Sequence, residues 1–397
     1  MVDPAGTGSE ARIRAILARR SYRSFRADPI PAEAREAIRA VLDGAPSLFG
    51  RRSGYAILVD DARAAELPGA VMSGLVGKIN PWLLRSRPPA FLVAAGDSSG
   101  GLRDGERHWY NADAALAAQL AVLEAAGRGI GSCWVGGFHE RSVAEVVRLP
   151  AGHRPLAVIP LGFPAVGPDA PFSLLGRGWD AMAQKLISGR RKPLEKIAYR
   201  GRFGEPFVDP GELPGAARGV EGGREAAWRG LGASRSCLRF GPRPVGPAEL
   251  RLLLECARWA PSAENSQIAR HVVVEGREAV RALWAAAFPE TPSPRADELP
   301  ALALLELGAP FPVKARTREQ PFFLIDVPIA VTNVLVAAAD LRLGWQVAFR
   351  FDQARAAAHL GVPADHQVVA FVGLGEPGEA PSGAAVSPLD QVRAARA

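Results

Sequence analysis

Residues 20–61 align without a gap to the segment that starts at Arg235, and this internal repeat constrains the fold more than any other feature of the chain. Further on, Asp113 aligns with Asp326, Gly131 with Gly344, Leu161-Gly162 with Leu374-Gly375 and Pro164 with Pro377, in a register shifted by a net deletion of two residues. Self-similarity at this period means that one domain occurs twice, and its recognition precedes any assignment of single elements. The two copies occupy about 12–166 and 225–378 and are joined by a Gly-, Pro- and Arg-rich segment. The expected division is a first repeat at 1–166, a linking and wrapping segment at 167–224, and a diverged second repeat at 225–397.

Each copy reads as helix, strand, strand, helix, strand. Amphipathic helices are expected at Pro31–Leu42 and Pro247–Trp259, followed by strands at Tyr55–Val59 and His271–Glu275. Apolar strands follow at Ala90–Ala95 and Ala301–Leu307, then long helices at Asp113–Ala126 and Asp326–Asp340, then last strands at Leu156–Leu161 and Val368–Leu374. This order gives an α+β sandwich in which helices cover a central sheet. The two long helices are apolar on every side, so they are expected to pack on each other between the repeats.

Composition narrows the function classes. The chain of 397 residues is 48% hydrophobic and 22% charged, ordinary globular usage that excludes disorder or a fibrous repeat as a description of the whole. The net charge of +7 is scattered, and the short clusters Arg19-Arg20 and Arg190-Arg191-Lys192 suit a small anion; no nucleic-acid partner is expected. Cys133, Cys237 and Cys256 form no metal-binding spacing and no disulfide framework, which fits a reduced, cytoplasmic compartment, and no metal is expected. The N-terminal residues lack the order of an export signal, and Val327–Ala339 is shorter than a bilayer requires, so no membrane partner is expected.

Three segments carry chemistry. Arg19-Arg20-Ser21-Tyr22-Arg23 places guanidiniums and a hydroxyl just after a helix, a composition that holds phosphate, with a solvated basic helix end as the alternative. Gly129–Phe138 (GIGSCWVGGF) follows a helix, so it is not the dinucleotide fingerprint, which needs a strand before and a helix after; it is a tight turn whose glycines permit close approach of a flat ligand. The third is the block Ala260–Gln267 (APSAENSQ). Cys133 has no spaced His or Asp partner to activate it as a nucleophile.

Taken in order, the opening RRSYRSF, the APSAENSQ block, the Asp-led helix ending in GIGSCWVGGF and the closing Arg190-Arg191-Lys192-Pro193-Leu194-Glu195 resemble the FMN-dependent nitroreductase superfamily across both repeats. The resemblance implies a nitroreductase-like sandwich in which the repeats form an intramolecular pseudo-dimer, a monomer that needs no second chain. It also implies FMN sites at the boundary between repeats, with the arginines and glycine turn from one repeat and the PSxxN block from the other. Arg19, Arg20, Ser21, Arg23 and Arg190 or Arg191 would then hold the phosphate. Gly136 would allow close approach, and the Gly137 N–H would point at flavin N5 or O4. Asn80 would face the pyrimidine edge, and Pro261, Ser262 and Asn265 would meet the ring from the other repeat.

Divergence leaves one complete set. Repeat 1 has Pro46-Ser47-Leu48-Phe49-Gly50 where repeat 2 keeps Pro261-Ser262-Ala263-Glu264-Asn265. Repeat 2 has Leu238 for Arg23 and Phe349-Arg350 for the glycine pair. One composite flavin site is expected, with NAD(P)H as co-substrate and a small-molecule acceptor. The same resemblance also accommodates an oxidase or dehydrogenase acting on azoline or peptide-type natural products, and a protein that only sequesters flavin. The excursions at 101–110 and 309–323, with Lys314, Arg316 and Arg318, are where substrate selectivity would arise.

Overall fold

The computed structural model describes residues 11–47, 53–74, 80–99, 103–104, 107–165, 191–208, 237, 239–309 and 322–378. Repeat 1 runs α1 (Ala11–Ala18), α2 (Ala32–Asp43), β1 (Gly54–Val59), α3 (Arg63–Met72), α4 (Trp82–Ser86), β2 (Ala90–Asp97) and the short pair β3 (Arg103–Asp104) and β4 (Arg107–His108). It continues with α5 (Tyr110–Gly127), β5 (Gly131–Ser132), α6 (Glu140–Val147) and β6 (His153–Gly162). A short strand, β7 (Ala198–Arg200), lies in the segment between the repeats. Repeat 2 follows with α7 (Pro247–Arg258), β8 (Ala269–Glu275), α8 (Arg277–Ala287), β9 (Leu302–Gly308), α9 (Phe323–Asp340), β10 (Gly344–Ala348), α10 (Gln353–Leu360) and β11 (Gln367–Gly375).

The sheet of repeat 1 has the order β1-β2-β6-β5 and that of repeat 2 the order β10-β11-β9-β8-β7. Corresponding strands are antiparallel neighbours in both sheets. The fifth strand is different: β7 leaves repeat 1 and joins repeat 2 in parallel with β8, Ala198 beside His271. The chain between the repeats is therefore part of the second repeat's sheet, which places Arg191 next to that repeat.

Packing follows from the apolar pattern. α5 and α9 are buried along nearly their whole length, and one core cluster includes both with the inner faces of both sheets. The outer face of each sheet is closed separately, by α3 and α6 in repeat 1 and by α8 and α10 in repeat 2. Burial of this much apolar surface at about 25 cal/mol per Å² is the main force holding the repeats together. α9 has the length and hydropathy of a membrane-crossing helix, more than the shorter apolar run in the sequence suggests, yet 89% of it is buried inside the protein.

Polar contacts set the register of the helices. Gln119 Nε2 on α5 donates to Asn333 Oδ1 on α9 at 2.8 Å, and Asn333 Nδ2 donates to the Cys256 carbonyl at 2.9 Å. The start of α1 is held by repeat 2: the N–H groups of Arg12 and Ile13 donate to Asp340 Oδ2 at 3.1 Å, and the Arg12 guanidinium pairs with the same carboxylate. A carboxylate at a helix N-terminus is favourable to the helix dipole.

The expected five-element pattern is present in both copies but incomplete. Each copy also has two outer helices and a short edge strand beyond that pattern. α3 reads as a break because Pro68 and Gly69 interrupt it, and α6 and α10 have eight residues each, so their periodicity is brief. β5 has two residues, too few for alternation to register.

Candidate functional site

The RRSYR segment lies against the glycine turn. Tyr22 N–H donates to the Ser132 carbonyl at 2.9 Å, and Ser21 and Ser132 form a parallel bridge. Gly131 permits this, since a Cβ there would come within 2.8 Å of Tyr22 Cδ2. Arg23 is partly buried in the same stretch. Further along the turn, Val135 exchanges two backbone bonds with Val158, which fixes the chain entering Gly136-Gly137. Asn80 Nδ2 donates to the Gly137 carbonyl at 2.8 Å while its Oδ1 accepts from Trp82 Nε1 at 3.3 Å. Asn80 thus holds the glycine pair through the Gly137 carbonyl.

Repeat 2 supplies the opposite wall. Among the described residues, a Cβ built on Gly136 would meet a single neighbour within 4 Å, Phe322 Cε1 of repeat 2 at 3.8 Å. The block at 260–267 is a strained turn: Glu264, Asn265 and Gln267 have φ of 51°, 53° and 50°. Three non-glycine residues in the left-handed region within four positions carry a conformational cost that the fold must sustain, and such strain clusters at binding sites. Ser262 Oγ accepts from Gln267 N–H at 3.0 Å, Asn265 N–H donates to the Ser262 carbonyl at 3.0 Å, and the buried Asp326 carboxylate accepts from Ala263 N–H at 3.1 Å. Burial pushes the Asp326 carboxyl up to about 7, with the bond from Ala263 acting in the opposite direction.

Four guanidiniums from three parts of the chain converge beside this turn. Arg20 lies 4.1 Å over the Trp259 ring, with Arg191 at 5.3 Å and Arg258 at 5.4 Å. Arg191 donates to the carbonyls of Ala260 at 2.9 Å and Trp259 at 3.2 Å, and Lys192 Nζ donates to that of Ser266 at 2.8 Å. Arg258 is balanced by Glu255 at 2.6 Å. Arg19 is 95% buried, and among the described residues its Nε and Nη1 have no hydrogen-bond partner. Burial presses Arg19 down to about 10, with Arg20 adding repulsion; burial, then Arg19, Arg258 and Arg20, press Arg191 down to about 9. A buried cation without its counter-charge is unfavourable, and an anion seated on this cluster would relieve that cost.

The pseudo-symmetric location is different. There Phe349 takes the place of Gly136, and it packs edge-to-face on Trp109 with ring centroids 5.7 Å apart. Trp109 is the repeat 1 counterpart of Phe322, so the same cross-repeat contact that leaves room at Gly136 is a filled aromatic pair at Phe349. Arg107 closes the location further, donating to the Val368 carbonyl at 2.9 Å, to Gln367 Oε1 at 2.7 Å and to Gln353 Oε1. Gly44 and Asp43 stand where repeat 2 has Trp259 and Arg258.

The structure thus brings Arg19, Arg20, Ser21, Asn80, Gly136, Arg191, Pro261, Ser262 and Asn265 to one boundary between the repeats. Arg190, Leu238, Leu48 to Gly50, Lys314, Arg316 and Arg318 lie outside the described residues. Trp259, Arg258, Lys192, Gln267 and Asp326 are site residues that motif reading alone does not single out. Trp259 adjoins the APSAENSQ block, and its replacement by Gly44 in the other repeat is the signal that sequence comparison offers.

Known proteins resemble this chain in both repeats. The model of the Nitroreductase family matches residues 16–163 and 233–376. A curated relative from Methanothermobacter thermautotrophicus, provisionally named NADH dehydrogenase/NAD(P)H nitroreductase, is 29% identical over 165 residues, covering 39% of this chain and 78% of its own. Among solved structures, an FMN-dependent nitroreductase from Clostridium difficile is 23% identical, covering 39% of this chain and 88% of its own, with a TM-score of 0.33. A nitroreductase family protein from Clostridium novyi is 22% identical, covering 49% and 94%, with a TM-score of 0.33. The family match takes in each repeat separately and together more than half of the chain, and so the chain is an oxidoreductase that belongs to the nitroreductase family.

Proposed function

We propose that the protein binds one FMN at the boundary between its repeats and transfers hydride between NAD(P)H or an organic substrate and an electron-poor acceptor. On this reading the chain divides at 1–166, 167–224 and 225–397, and acts as an intramolecular pseudo-dimer that needs no second copy. The observation that carries the reading is the buried Arg19 guanidinium, with two unpartnered nitrogens, beside Arg20, Arg191 and Arg258. An FMN phosphate, with roughly −1.5 to −2 charges, is the counter-ion such a cluster lacks.

The residues present fit the group. Arg19, Arg20 and Arg191 hold the phosphate, with Ser21 and Arg23 beside them. Gly136 leaves a face on which only Phe322 comes within reach of a Cβ. Pro261, Ser262 and Asn265 present the strained turn from the other side. The Gly137 N–H serves as a donor to the ring edge where negative charge develops, a role that backbone N–H groups fill without reorganisation. When bound, the flavin supplies the hydride chemistry, and the protein supplies position and electrostatics.

The test is anaerobic addition of NADPH or NADH to the FMN-loaded protein while the visible flavin absorbance is followed. Bleaching by either supports a reductase. A flavin that neither nucleotide bleaches overturns that direction of transfer.

A further inference from the structure

A buried hydrogen-bonded couple lies next to this site without any part in holding the phosphate. His271 on β8 and Glu306 on β9 are cross-strand neighbours, fully buried, with Nδ1 2.6 Å from Glu306 Oε2. The carboxylate fixes the ring with its hydrogen on Nδ1 and leaves Nε2 as the second nitrogen. Among the described residues, Nε2 is buried and without a hydrogen-bond partner, as is Glu306 Oε1.

Two observations separate this pair from a structural one. In repeat 1 the same register is occupied by Ala56 and Ala94, directly paired across β1 and β2, so the fold itself needs no polar group there. Burying a His and a Glu in a sheet costs free energy that an alanine pair avoids, and only the repeat that keeps the PSAEN turn bears that cost. Second, His271 is among the residues around a cavity at the turn, together with Ser262, Asp326, Arg191 and Arg258, and the cavity has room for a water molecule.

We propose that His271, oriented by Glu306, is the acid–base group of the composite site, exchanging a proton through one water in this cavity with an N–H or O–H of the ligand seated on the 261–267 turn. The water gives a proton to Nε2 as it takes one from the ligand, the imidazolium formed is stabilised by Glu306, and the reverse step returns the proton. No electron moves in this exchange. The charged groups that line the cavity with His271 are Asp326 from α9, Arg258 from α7 and Arg191 from the segment before β7, while Glu306 from β9 holds Nδ1 and β7 and β11 pair with the two strands through Ala198 and Ala370. Asp326 is the carboxyl among these lining residues and is pushed up by burial, so it can share the proton.

This inference rests on the composite-site reading, and its test separates the two. The ring nitrogens of His271 are followed by NMR in ¹⁵N-histidine-labelled protein, assigned by comparison with His271→Gln, before and after addition of FMN. The double variant His271→Ala/Glu306→Ala restores the alanine pair that repeat 1 already carries, so it is expected to fold. The expected results are an Nε2 signal that moves on FMN addition while Nδ1 stays bonded, and FMN affinity in the double variant within about threefold of the parent. Flavin reduction in that variant should be slowed roughly 10²-fold or more, with one ionisation lost from its pH profile. FMN binding with an unmoved Nε2 signal, or a double variant with the parental pH profile, overturns this inference alone. A parent chain that binds no FMN overturns the composite site and this inference with it.

Discussion

Gly136 is the residue at which ligand and protein effects are most easily separated. A methyl group there meets only Phe322 Cε1 at 3.8 Å, an ordinary contact, so Gly136→Ala should leave the ligand-free protein as stable as the parent to within about 0.5 kcal/mol. FMN affinity should fall about tenfold or more, because the methyl occupies the face reserved for the ring. Calorimetry on both variants checks this, and unchanged affinity would mean the ring does not lie at Gly136. Asp326 carries the second residue-scale prediction. Its folded carboxyl titrates near 7, above the unfolded value of 3.8, so between those values the folded state binds more protons than the unfolded one. Stability attributable to this group is therefore present at low pH and is lost as pH rises from about 4 through 7. Asp326→Asn, which keeps an oxygen for Ala263 N–H, should remove that part of the slope. Relative to the parent it should gain about 1–4 kcal/mol between pH 5 and pH 8 in urea unfolding. A parallel pH dependence in the two proteins would count against a buried, proton-sharing Asp326.

At the scale of elements, one contact is used twice with opposite results. The residue just before each long helix reaches across to the other repeat: Phe322 leaves room at Gly136, and Trp109 packs on Phe349. Trp109→Ala should therefore behave as a core truncation, costing about 3–5 kcal/mol in chemical denaturation without adding a second flavin. A cost below about 1 kcal/mol would show that this location is not filled. The inner elements were legible in the sequence because of the long apolar runs at α5 and α9 and the short apolar runs at β1, β2 and their counterparts. The outer helices were not, because α3 contains Pro68-Gly69 and α6 and α10 are too short to show a period. Of the candidate site, the sequence offers the parts whose chemistry is local: the arginines, the glycine pair and the PSAEN turn. The site was not legible where tertiary contact creates it. The stacking of Arg20, Arg191 and Arg258 on Trp259, and the His271–Glu306 pair that repeat 1 replaces with alanines, depend on which strands and helices become neighbours.

For the molecule as a whole, the chain between the repeats does more than connect them. It adds β7 to the second sheet and delivers Arg191 to the cluster formed by Arg19 and Arg20 of repeat 1 and Arg258 of repeat 2. On the proposed reading, all three parts of the chain contribute to one anion site, beside a pseudo-symmetric location closed by Trp109, Phe349 and Arg107, and the duplicated domain has a single working site. The measurement that tests this most directly is the number of FMN molecules bound per chain, from the visible absorbance of the saturated protein and of the flavin released on denaturation. The account predicts one per chain. Two per chain would contradict the closure of the second location, and none would contradict the composite site itself.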